Sequence, residues 1–371
     1  MRNSREFIEK LLAAADVKIG GDRPWDIRVH DERLYDRVLA KGTLGFGEAY
    51  LDGWWDAEDI DGMIYRLLRG RVEGTISKNL SNAFHVLLSK VLNLQTERRS
   101  RKVAREHYDL GNDLYMAFLD PYNQYTCGYF KNTDDLNVAQ EQKLDLICKK
   151  LRLKPSDKVL DIGCGWGGFA KWAAEHYGCE VTGISISDEQ IAYAKKFTAG
   201  LPVNILKMDY RDIAGTYDKI LICGMIEHVG YKNYRTIMRT VHRNLAEDGL
   251  FLLHTIGRND SATTVEPWIE KYIFPNSMAP SPEQIGRAIS GLFVMEDWHN
   301  FGAYYEPTLL AWWRNFDAAW PRFKEQYGER FRRMFRYYLL SCAGAFRARD
   351  LELWQVVLSK NGVVGGYESV R

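Results

Sequence analysis

A glycine-rich segment at 161–168 is the first part of the chain whose residue types and spacing suggest chemistry. Its sequence, Asp-Ile-Gly-Cys-Gly-Trp-Gly-Gly, begins inside an apolar run at 158–162 that predicts a short buried strand. Glycines permit a tight turn after such a strand and let the atoms of a bound nucleotide approach the backbone. The spacing also satisfies GxGxxG, so the segment predicts a site for a nicotinamide dinucleotide or for S-adenosylmethionine, unless the glycines serve only the turn.

The residues around the second predicted strand, 180–184, favour S-adenosylmethionine. Ligands of an open α/β sheet bind at the carboxyl ends of its strands. The acid near this strand, Glu180, stands at its amino end, where the ribose of a nicotinamide cofactor could not reach it. The carboxyl end instead carries Ser185, Ile186 and Gln190, which provide hydroxyl and amide groups.

Two further acids support the same choice of nucleotide. An acid at the start of Asp-x-Gly-x-Gly, here Asp161, is typical of enzymes that use S-adenosylmethionine. Asp209 and Tyr210 follow the third predicted strand, 203–208, and provide an acid for the adenine amino group and a ring that can stack on it. The pattern therefore predicts a methyl-donor site.

Strands and helices that alternate along the chain would position these residues. Strands are predicted at 158–162, 180–184, 203–208, 218–222 and 250–255, and helices at 189–197 and 231–245. Such alternation predicts an α/β domain with a parallel, doubly wound sheet. Segments 293–298 and 354–359 would complete it as an antiparallel edge pair.

The composition indicates an ordinary globular chain of two domains. Its 371 residues, 46% hydrophobic and 27% charged, are enough to bury large cores. A formal charge of +1 gives no strong field for nucleic acid. The six cysteines are scattered without a CxxC pair, so neither a metal site nor a disulfide framework is predicted. With no signal-peptide pattern and no apolar run of about 18 residues, we expect a cytoplasmic protein.

Three regions are expected along the chain: a small, mainly helical accessory domain at 1–95, a linker and lead-in helix at 96–122, and a catalytic domain at 123–371. The charged stretch 96–105 is either a solvated linker or a cationic patch for anionic lipid headgroups, where each basic side chain would contribute about 1 kcal/mol. The basic and aromatic stretch 331–338 predicts either an interfacial helix or a solvated face with a buried stripe. No nucleic-acid module accompanies it.

Several further motifs give the chain a family resemblance. It resembles the bacterial cyclopropane-fatty-acyl-phospholipid synthases along nearly its whole length, accessory domain included. Many methyltransferases share the glycine loop, but the combination of Tyr-x-Cys, Glu-His-Val-Gly and His-Thr-Ile is specific. Besides the loop, the matching segments are 107–113, 124–129, 227–230, 252–256, 298–302 and 342–347. Two departures are conservative in size: Thr126 stands where the family often has Ser, and Gly128 where Ala is usual.

The resemblance implies a fold, an activity and a cofactor site. It implies a seven-stranded Rossmann-like methyltransferase sheet with a helical lid at about 264–316 that lines an acyl channel. The activity is transfer of a methylene group from S-adenosylmethionine to the cis double bond of an unsaturated phospholipid acyl chain, which releases S-adenosylhomocysteine. The implied cofactor residues are Tyr125, Thr126, Asp161, Gly163, Gly165, Gly167, Ser185, Ile186, Gln190, Asp209, Tyr210 and Gly224.

The chemistry of an alkene explains which other residues are needed. An alkene attacks a methyl donor without an activating base, but the carbocation that results must lose a methyl proton before water intervenes. The resemblance implies bound bicarbonate as that base. His254 and Tyr305 would donate to it, Cys127 and the Ile256 backbone N–H would complete the cradle, and Glu227 would accept from its hydroxyl.

Each of these residues also has a plainer interpretation. Cys127 could be buried apolar filler, His254 a satisfied core residue, Glu227 a helix cap and Tyr305 a packing residue. Cys342 lies in a family segment and could be nucleophile-like. The reaction requires no covalent intermediate, however, so a structural role is favoured for Cys342.

The resemblance also implies partners and a location. It implies a homodimer that works on a phospholipid bilayer, peripherally at the inner face of the cell membrane, and no nucleic acid. One rival is a related lipid C-methyltransferase that leaves a methyl branch or a hydroxylated product. A rival from another class is a catalytically inactive lipid-binding scaffold.

Overall fold

The computed structural model describes residues 2–71 and 111–371, which form two compact units. The first unit combines 2–71 with Thr263–Pro275 and Leu309–Leu351, and the second combines 111–262 with Asn276–Thr308 and Glu352–Arg371. The predicted domain boundary at 95 and the charged stretch 96–105 lie outside the described residues. The predicted lid is divided between both units, and its role in an acyl channel stays a prediction.

The elements follow one another in a largely alternating order. The helices are α1 (Arg2–Ala14), α2 (Arg33–Leu51), α3 (Ile60–Arg69), α4 (Asn112–Met116), α5 (Leu136–Lys150), α6 (Gly168–Tyr177), α7 (Asp188–Phe197), α8 (Tyr234–Asn244), α9 (Pro267–Tyr272), α10 (Pro282–Ile289), α11 (Tyr305–Ala319) and α12 (Lys324–Ala348). The strands are β1 (Arg28–Val29), β2 (Trp55–Asp56), β3 (Lys158–Ile162), β4 (Glu180–Ser185), β5 (Val203–Lys207), β6 (Tyr217–Cys223), β7 (Leu245–Gly257), β8 (Val294–Asn300) and β9 (Glu352–Ser359).

The second unit is built on a seven-stranded sheet with the order β5-β4-β3-β6-β7-β9-β8. The first five strands in this order, β5, β4, β3, β6 and β7, run parallel to one another. Strand β9 is antiparallel to both of its neighbours, β7 and β8. The predicted doubly wound sheet with an antiparallel edge pair is therefore confirmed. The order places β3 and β6 side by side at the topological switch point, where open α/β sheets bind ligands.

Alternate residues of the central strands enter two separate cores, one on each face of the sheet. Leu160, Ile220 and Phe251 pack on one face, whereas Val159 and Leu252 pack on the other. Because side chains along a strand alternate between faces, a strand covered on both sides must be apolar at nearly every position. This requirement explains why short apolar runs were enough to predict these strands.

The first unit is mainly helical, as the sequence predicted for the N-terminal region. Its later segments include the basic and aromatic stretch 331–338 within α12, where no side chain is exposed. Arg333 donates to the backbone oxygens of Tyr50 and Trp55 at 2.6 and 3.0 Å and to Asp56 at 2.8 Å. Arg333 is therefore used inside the unit, and the two interpretations of the stretch, an interfacial helix and a solvated face with a buried stripe, stay predictions.

No helix within residues 2–71 and 111–371 is both long and apolar enough to cross a bilayer. Within the same ranges, no three His, Cys, Asp or Glu side chains come close enough together to bind a metal ion.

Candidate active site

The glycine loop lies at the carboxyl end of β3. Gly163, Gly165 and Gly167 have φ values of +83°, +53° and +83°, a region that other residues adopt only with strain. A Cβ on Gly163 would come within 2.8 Å of Met225 Cγ, whereas one on Gly165 would meet nothing within 4 Å. The loop is therefore tightly supported at its first glycine and open at its second, as close approach of a ligand to the backbone requires.

The next loop carries the residues expected near a ribose. Ser185 ends β4 and donates its hydroxyl to Gln190 Oε1 at 3.3 Å. Ser187 caps α7, where its side chain accepts from the Gln190 N–H at 3.4 Å. Ser185 and Gln190 are buried and Ile186 is half-buried, so the cap fixes the amide side chain beside the strand end.

Asp209 and Tyr210, expected near an adenine, follow β5. The Arg211 guanidinium donates to both Asp209 oxygens at 2.9 and 3.0 Å and lies 4.6 Å from the centre of the Tyr210 ring. Sequence reasoning missed Arg211. It holds the acid and the ring in one arrangement, and the remaining lone pairs of the carboxylate can still accept from a ligand.

Thr126 joins its loop to the carboxyl ends of the strands. A Cβ on Gly224, which follows β6 and has φ +67°, would come within 2.8 Å of Thr126 Cγ2. Glycine at 224 therefore lets the loop approach the sheet edge closely. Tyr125 contacts Tyr115 and Phe118 edge-on, with ring centroids 5.4 and 6.1 Å apart.

Lys143 holds the same loop from α5, and sequence reasoning missed it. Its ammonium is fully buried and donates to Gln124 Oε1 at 2.5 Å and to Thr126 Oγ1 at 2.8 Å. Burial lowers the pKa of Lys143, while the nearby Asp120 raises it. The available signal was its position one helical turn before Ile147, on the apolar face of the helix, where an unpaired charge would be costly.

Glu227 and His254 lie on neighbouring parts of the edge, after β6 and near the end of β7. The Ile256 backbone N–H donates to Glu227 Oε1 at 2.8 Å, so in this structure it orients the carboxyl group. The Gly224 N–H donates to the His254 backbone oxygen at 3.0 Å. Glu227 Oε2 and His254 Nε2 are both buried and have no hydrogen-bond partner among the described residues.

Cys127 and Tyr305 are connected through the start of α11. The Gly128 N–H donates to Thr308 Oγ1 at 3.0 Å, and this oxygen lies 3.9 Å from Cys127 Sγ. Thr308 follows Tyr305 by one helical turn, and Tyr305 itself is buried. The hydroxyl of Thr308 thereby ties the Cys127 segment to the turn that carries Tyr305.

Burial sets the protonation states of these groups. It raises the pKa of Glu227 to about 7 and lowers the pKa of His254 well below its usual range. It also raises the pKa of the Cys127 thiol above its usual range. Near neutral pH the imidazole is uncharged, the thiol keeps its proton, and the Glu227 carboxyl group can take or release one.

Asp161 is another buried carboxyl group with a raised pKa. Burial raises it to about 7, against the opposing charge of Lys143. The residue lies inside β3, one position before its end, where the glycine loop begins. A carboxyl group so close to ionisation can accept from a polar ligand held by that loop.

These atoms fit the two groups that the sequence implies. Bicarbonate needs donors for its oxygens and an acceptor for its hydroxyl, and the unpartnered His254 Nε2 and Glu227 Oε2 provide one of each. The open backbone at Gly165 fits the close approach of S-adenosylmethionine. Every predicted site residue except Cys342 belongs to the second unit.

Cys342 lies in α12, within the first unit. Burial raises the pKa of its thiol to about 12, so it is protonated at neutral pH. A protonated thiol is a weak nucleophile. The structural role that the sequence favoured for Cys342 stays a prediction.

The chain is similar over most of its length to proteins of known name. The family model described as mycolic acid cyclopropane synthetase matches residues 95–356. The chain is 49% identical over 369 residues to an Escherichia coli protein named cyclopropane-fatty-acyl-phospholipid synthase, covering 100% of this chain and 96% of that one. It is 36% identical over 298 residues to sphingolipid C9-methyltransferase A of Emericella nidulans, covering 75% of this chain and 57% of that one.

The fold of this chain is also similar to that of a solved structure. The crystal structure of a mycolic acid cyclopropane synthase complexed with S-adenosylhomocysteine and CTAB matches with a TM-score of 0.65 and 29% identity. The match covers 70% of this chain and 98% of that one. The predicted methyltransferase fold is confirmed.

Proposed function

The chain belongs to the mycolic acid cyclopropane synthetase family, and we propose that its substrate is the cis double bond of an unsaturated phospholipid acyl chain. The enzyme is an S-adenosylmethionine-dependent methyltransferase that carries out methylene transfer. The observation that carries the proposal is the buried pair of unpartnered atoms, Glu227 Oε2 and His254 Nε2, at the edge that holds the glycine loop. A simple methyl transfer to an oxygen or nitrogen would need no such anion site.

The reaction first requires that the alkene carbon and the sulfonium methyl group be held in line. Well-oriented reacting atoms lie about 3–3.5 Å apart before bond formation. The double-bond electrons would form the new C–C bond, the electrons of the broken bond between the methyl carbon and sulfur would stay on the sulfur, and the neighbouring alkene carbon would become a cation. Loss of one proton from the new methyl group then lets its C–H electrons close the three-membered ring.

Four side chains of this chain would hold the base and handle the proton that it removes. Bound bicarbonate would supply the base for that proton. His254 would donate through Nε2, Cys127 would donate its thiol hydrogen, and Tyr305 would donate its phenol hydrogen to the anion. Glu227, held by the Ile256 N–H, would accept from the hydroxyl of the anion and share the proton that leaves. The low exposure of these groups would keep water away from the cation.

The lipid partner and the assembly state are part of the same proposal. The name of the E. coli relative includes a phospholipid, which supports a substrate in a bilayer. A bilayer substrate in turn supports a peripheral position on the inner face of the cell membrane. We keep the homodimer and the acyl-channel lid as predictions of the family resemblance.

A second candidate function is supported by one specific comparison. The similarity to a sphingolipid C9-methyltransferase supports lipid C-methylation, in which the product keeps a methyl branch. Both reactions begin with the same alkylation of an alkene carbon. They differ in which proton is lost, so the structure of the product separates them.

The test uses purified full-length protein, S-adenosylmethionine, bicarbonate and vesicles of a phospholipid with one cis-unsaturated acyl chain. We expect each modified chain to gain the mass of one CH₂ and to lose its olefinic protons in the NMR spectrum. Vesicles of the matched saturated lipid are the control and should stay unchanged. A product that gains the same mass but keeps an olefinic signal would support C-methylation and contradict the cyclopropane proposal.

A further inference from the structure

Three polar residues form one row across the edge of the sheet. In the strand register, His254 of β7 lies opposite Gln355 of β9, and Gln355 lies opposite His299 of β8. Residues opposite one another in neighbouring strands project from the same face. Leu252 and Val357, which are also paired in register, lie on that face beside the row.

Gln355 contacts the imidazole of His254 directly. Its Nε2 atom lies 3.3 Å from His254 Nδ1, and both side chains are buried. An amide nitrogen only donates, so Nδ1 must accept with its lone pair. An uncharged imidazole carries one hydrogen, which is then on Nε2.

The reverse orientation of the amide is less favourable. With Oε1 facing Nδ1, both hydrogens of the Gln355 amide would occupy a buried position that lacks a partner among the described residues. In the observed orientation the same position leaves a single oxygen unpartnered. An unsatisfied buried donor costs about 1–3 kcal/mol, and the reverse orientation would create two of them.

The second imidazole in the row does not compete for Gln355. His299 Nδ1 lies 3.1 Å from the Lys150 ammonium, which only donates, so His299 accepts from that lysine. Lys150 is in turn 3.3 Å from Asp297. The amide nitrogen of Gln355 is therefore available to His254.

We propose that Gln355 is a positioning residue that keeps the hydrogen of His254 on Nε2, so that the imidazole donates to the bound anion. The proposal rests on the anion site of the proposed function. With the hydrogen on Nδ1 instead, the Nε2 lone pair would face the negative oxygens and repel them. The amide thus sets the direction of a hydrogen bond that it does not itself make.

Two substitutions at one position separate tautomer control from packing. Gln355→Glu offers a carboxyl oxygen to Nδ1 and favours the wrong tautomer, whereas Gln355→Met fills the same volume and favours neither. We expect kcat to fall about 100-fold or more in the first variant and about 10-fold in the second, since a mis-set tautomer in a catalytic imidazole can cost about 10⁴-fold. The Kd for S-adenosylmethionine should change less than about twofold in both variants.

The decisive readout is the nitrogen spectrum of the imidazole. In full-length protein labelled with ¹⁵N-histidine, the His254 signals are assigned by their loss in a His254→Gln variant. We expect Nδ1 to resonate as the unprotonated nitrogen in the wild type, as the protonated one in Gln355→Glu, and as an average in Gln355→Met. A wild-type spectrum with hydrogen on Nδ1 would overturn the proposal, and so would a Gln355→Glu variant with the wild-type tautomer and rate.

The two levels of the proposal fail in different ways. If wild-type turnover does not depend on bicarbonate, the anion site is wrong while the tautomer measurement stands. If turnover depends on bicarbonate but the tautomer is indifferent to residue 355, only the role of Gln355 is wrong. Should Gln355→Glu melt at a much lower temperature than the wild type, the wild-type and Gln355→Met spectra decide the question.

Discussion

Two buried glutamates, one in each unit, have similar exposure and opposite electrostatics. Glu48 of the first unit is 3% exposed and Glu227 of the second unit is 8% exposed. Burial alone would raise the pKa of Glu48, but hydrogen bonds from Lys271, Arg37 and Lys41 hold it at about 2. Glu227 receives a backbone N–H and, among the described residues, no cation, so burial raises its pKa to about 7.

The difference shows that a buried carboxyl group serves a different purpose in each unit. A carboxylate surrounded by cations keeps its charge at every physiological pH and ties segments of the chain together. A carboxyl group that is buried without a cation can exchange a proton near neutral pH. Glu48 is therefore expected to matter for stability, and Glu227 for the reaction.

The largest expected effect is on turnover in a Glu227→Gln variant. The amide keeps the shape but cannot take a proton, so we expect kcat to fall about 10²–10⁴-fold, the usual range for a lost acid–base group. The Kd for S-adenosylmethionine, measured by calorimetry, and the melting temperature should stay close to wild type. Wild-type turnover in this variant would show that the carboxyl group has no part in proton transfer.

The next effect concerns Lys143, a buried cation of the second unit. Lys143→Met removes two charge-assisted hydrogen bonds to the loop of Gln124 and Thr126, each worth about 1.5–3 kcal/mol. We expect affinity for S-adenosylmethionine to fall about 10–100-fold. Lys149→Met, an exposed neighbour on the same helix, is the matched control and should bind normally. Equal affinity in both variants would mean that the loop does not need the buried ammonium.

A smaller effect should appear in the pH profile at saturating bicarbonate. The ionised form of Glu227 is the acceptor, and its pKa is raised to about 7. Protonation therefore removes the acceptor as the pH falls, so kcat should rise with pH and level off above about 7, with about a tenfold change per unit below it. The residual rate of Glu227→Gln should lack this step; an unchanged profile in the variant would assign the titration to another group.

The smallest effect on turnover is expected for Glu48→Gln. Loss of the carboxylate leaves Arg37, Lys41 and Lys271 without their common partner, at a cost to unfolding free energy of about 1–3 kcal/mol. That is less than for a dry ion pair, because both lysine side chains are 53% exposed. A thermal melt should show the loss at neutral pH, while kcat of the folded protein changes less than about twofold. A large fall in kcat without a change in melting temperature would reverse the assignment.

The pH dependence of that stability difference has a definite sign. The pKa of Glu48 is lowered on folding, so its contribution is complete above the unfolded value of about 4.3 and is lost as the pH falls towards about 2. The gap in melting temperature between wild type and Glu48→Gln should therefore narrow in acid. A gap that is constant down to pH 3 would argue that the loss comes from packing.

Local patterns were enough to predict the sheet and the glycine loop. A strand covered on both faces is apolar at nearly every position, and the glycines at 163, 165 and 167 need positive φ, so both features are visible in short windows of sequence. The family resemblance, rather than a local pattern, pointed to Glu227 and His254, which lie after β6 and near the end of β7. Their protonation states could not be predicted, since these depend on burial by residues distant in the chain.

Other features were hidden because they depend on contacts between distant segments. Lys143 is a charge on an apolar helix face, and only its partners in the loop, 17 and 19 residues away, explain it. Gln355 stands in an apolar strand next to His254, which is 101 residues earlier. The first unit is likewise assembled from segments that are distant in the sequence, so a single boundary along the chain cannot define it. For example, Arg333 of α12 donates to the backbone oxygens of Tyr50 in α2 and Trp55 in β2.

The measurement that tests the central claim most directly follows the hydrogens of the transferred carbon. Wild-type enzyme is given S-adenosylmethionine with a trideuterated methyl group and an unsaturated phospholipid, and the product is analysed by mass spectrometry and deuterium NMR. Because ring closure removes one hydrogen from the new methyl group, the account predicts a cyclopropane that retains two of the three deuterium atoms. A product that retains all three on a methyl branch would contradict it.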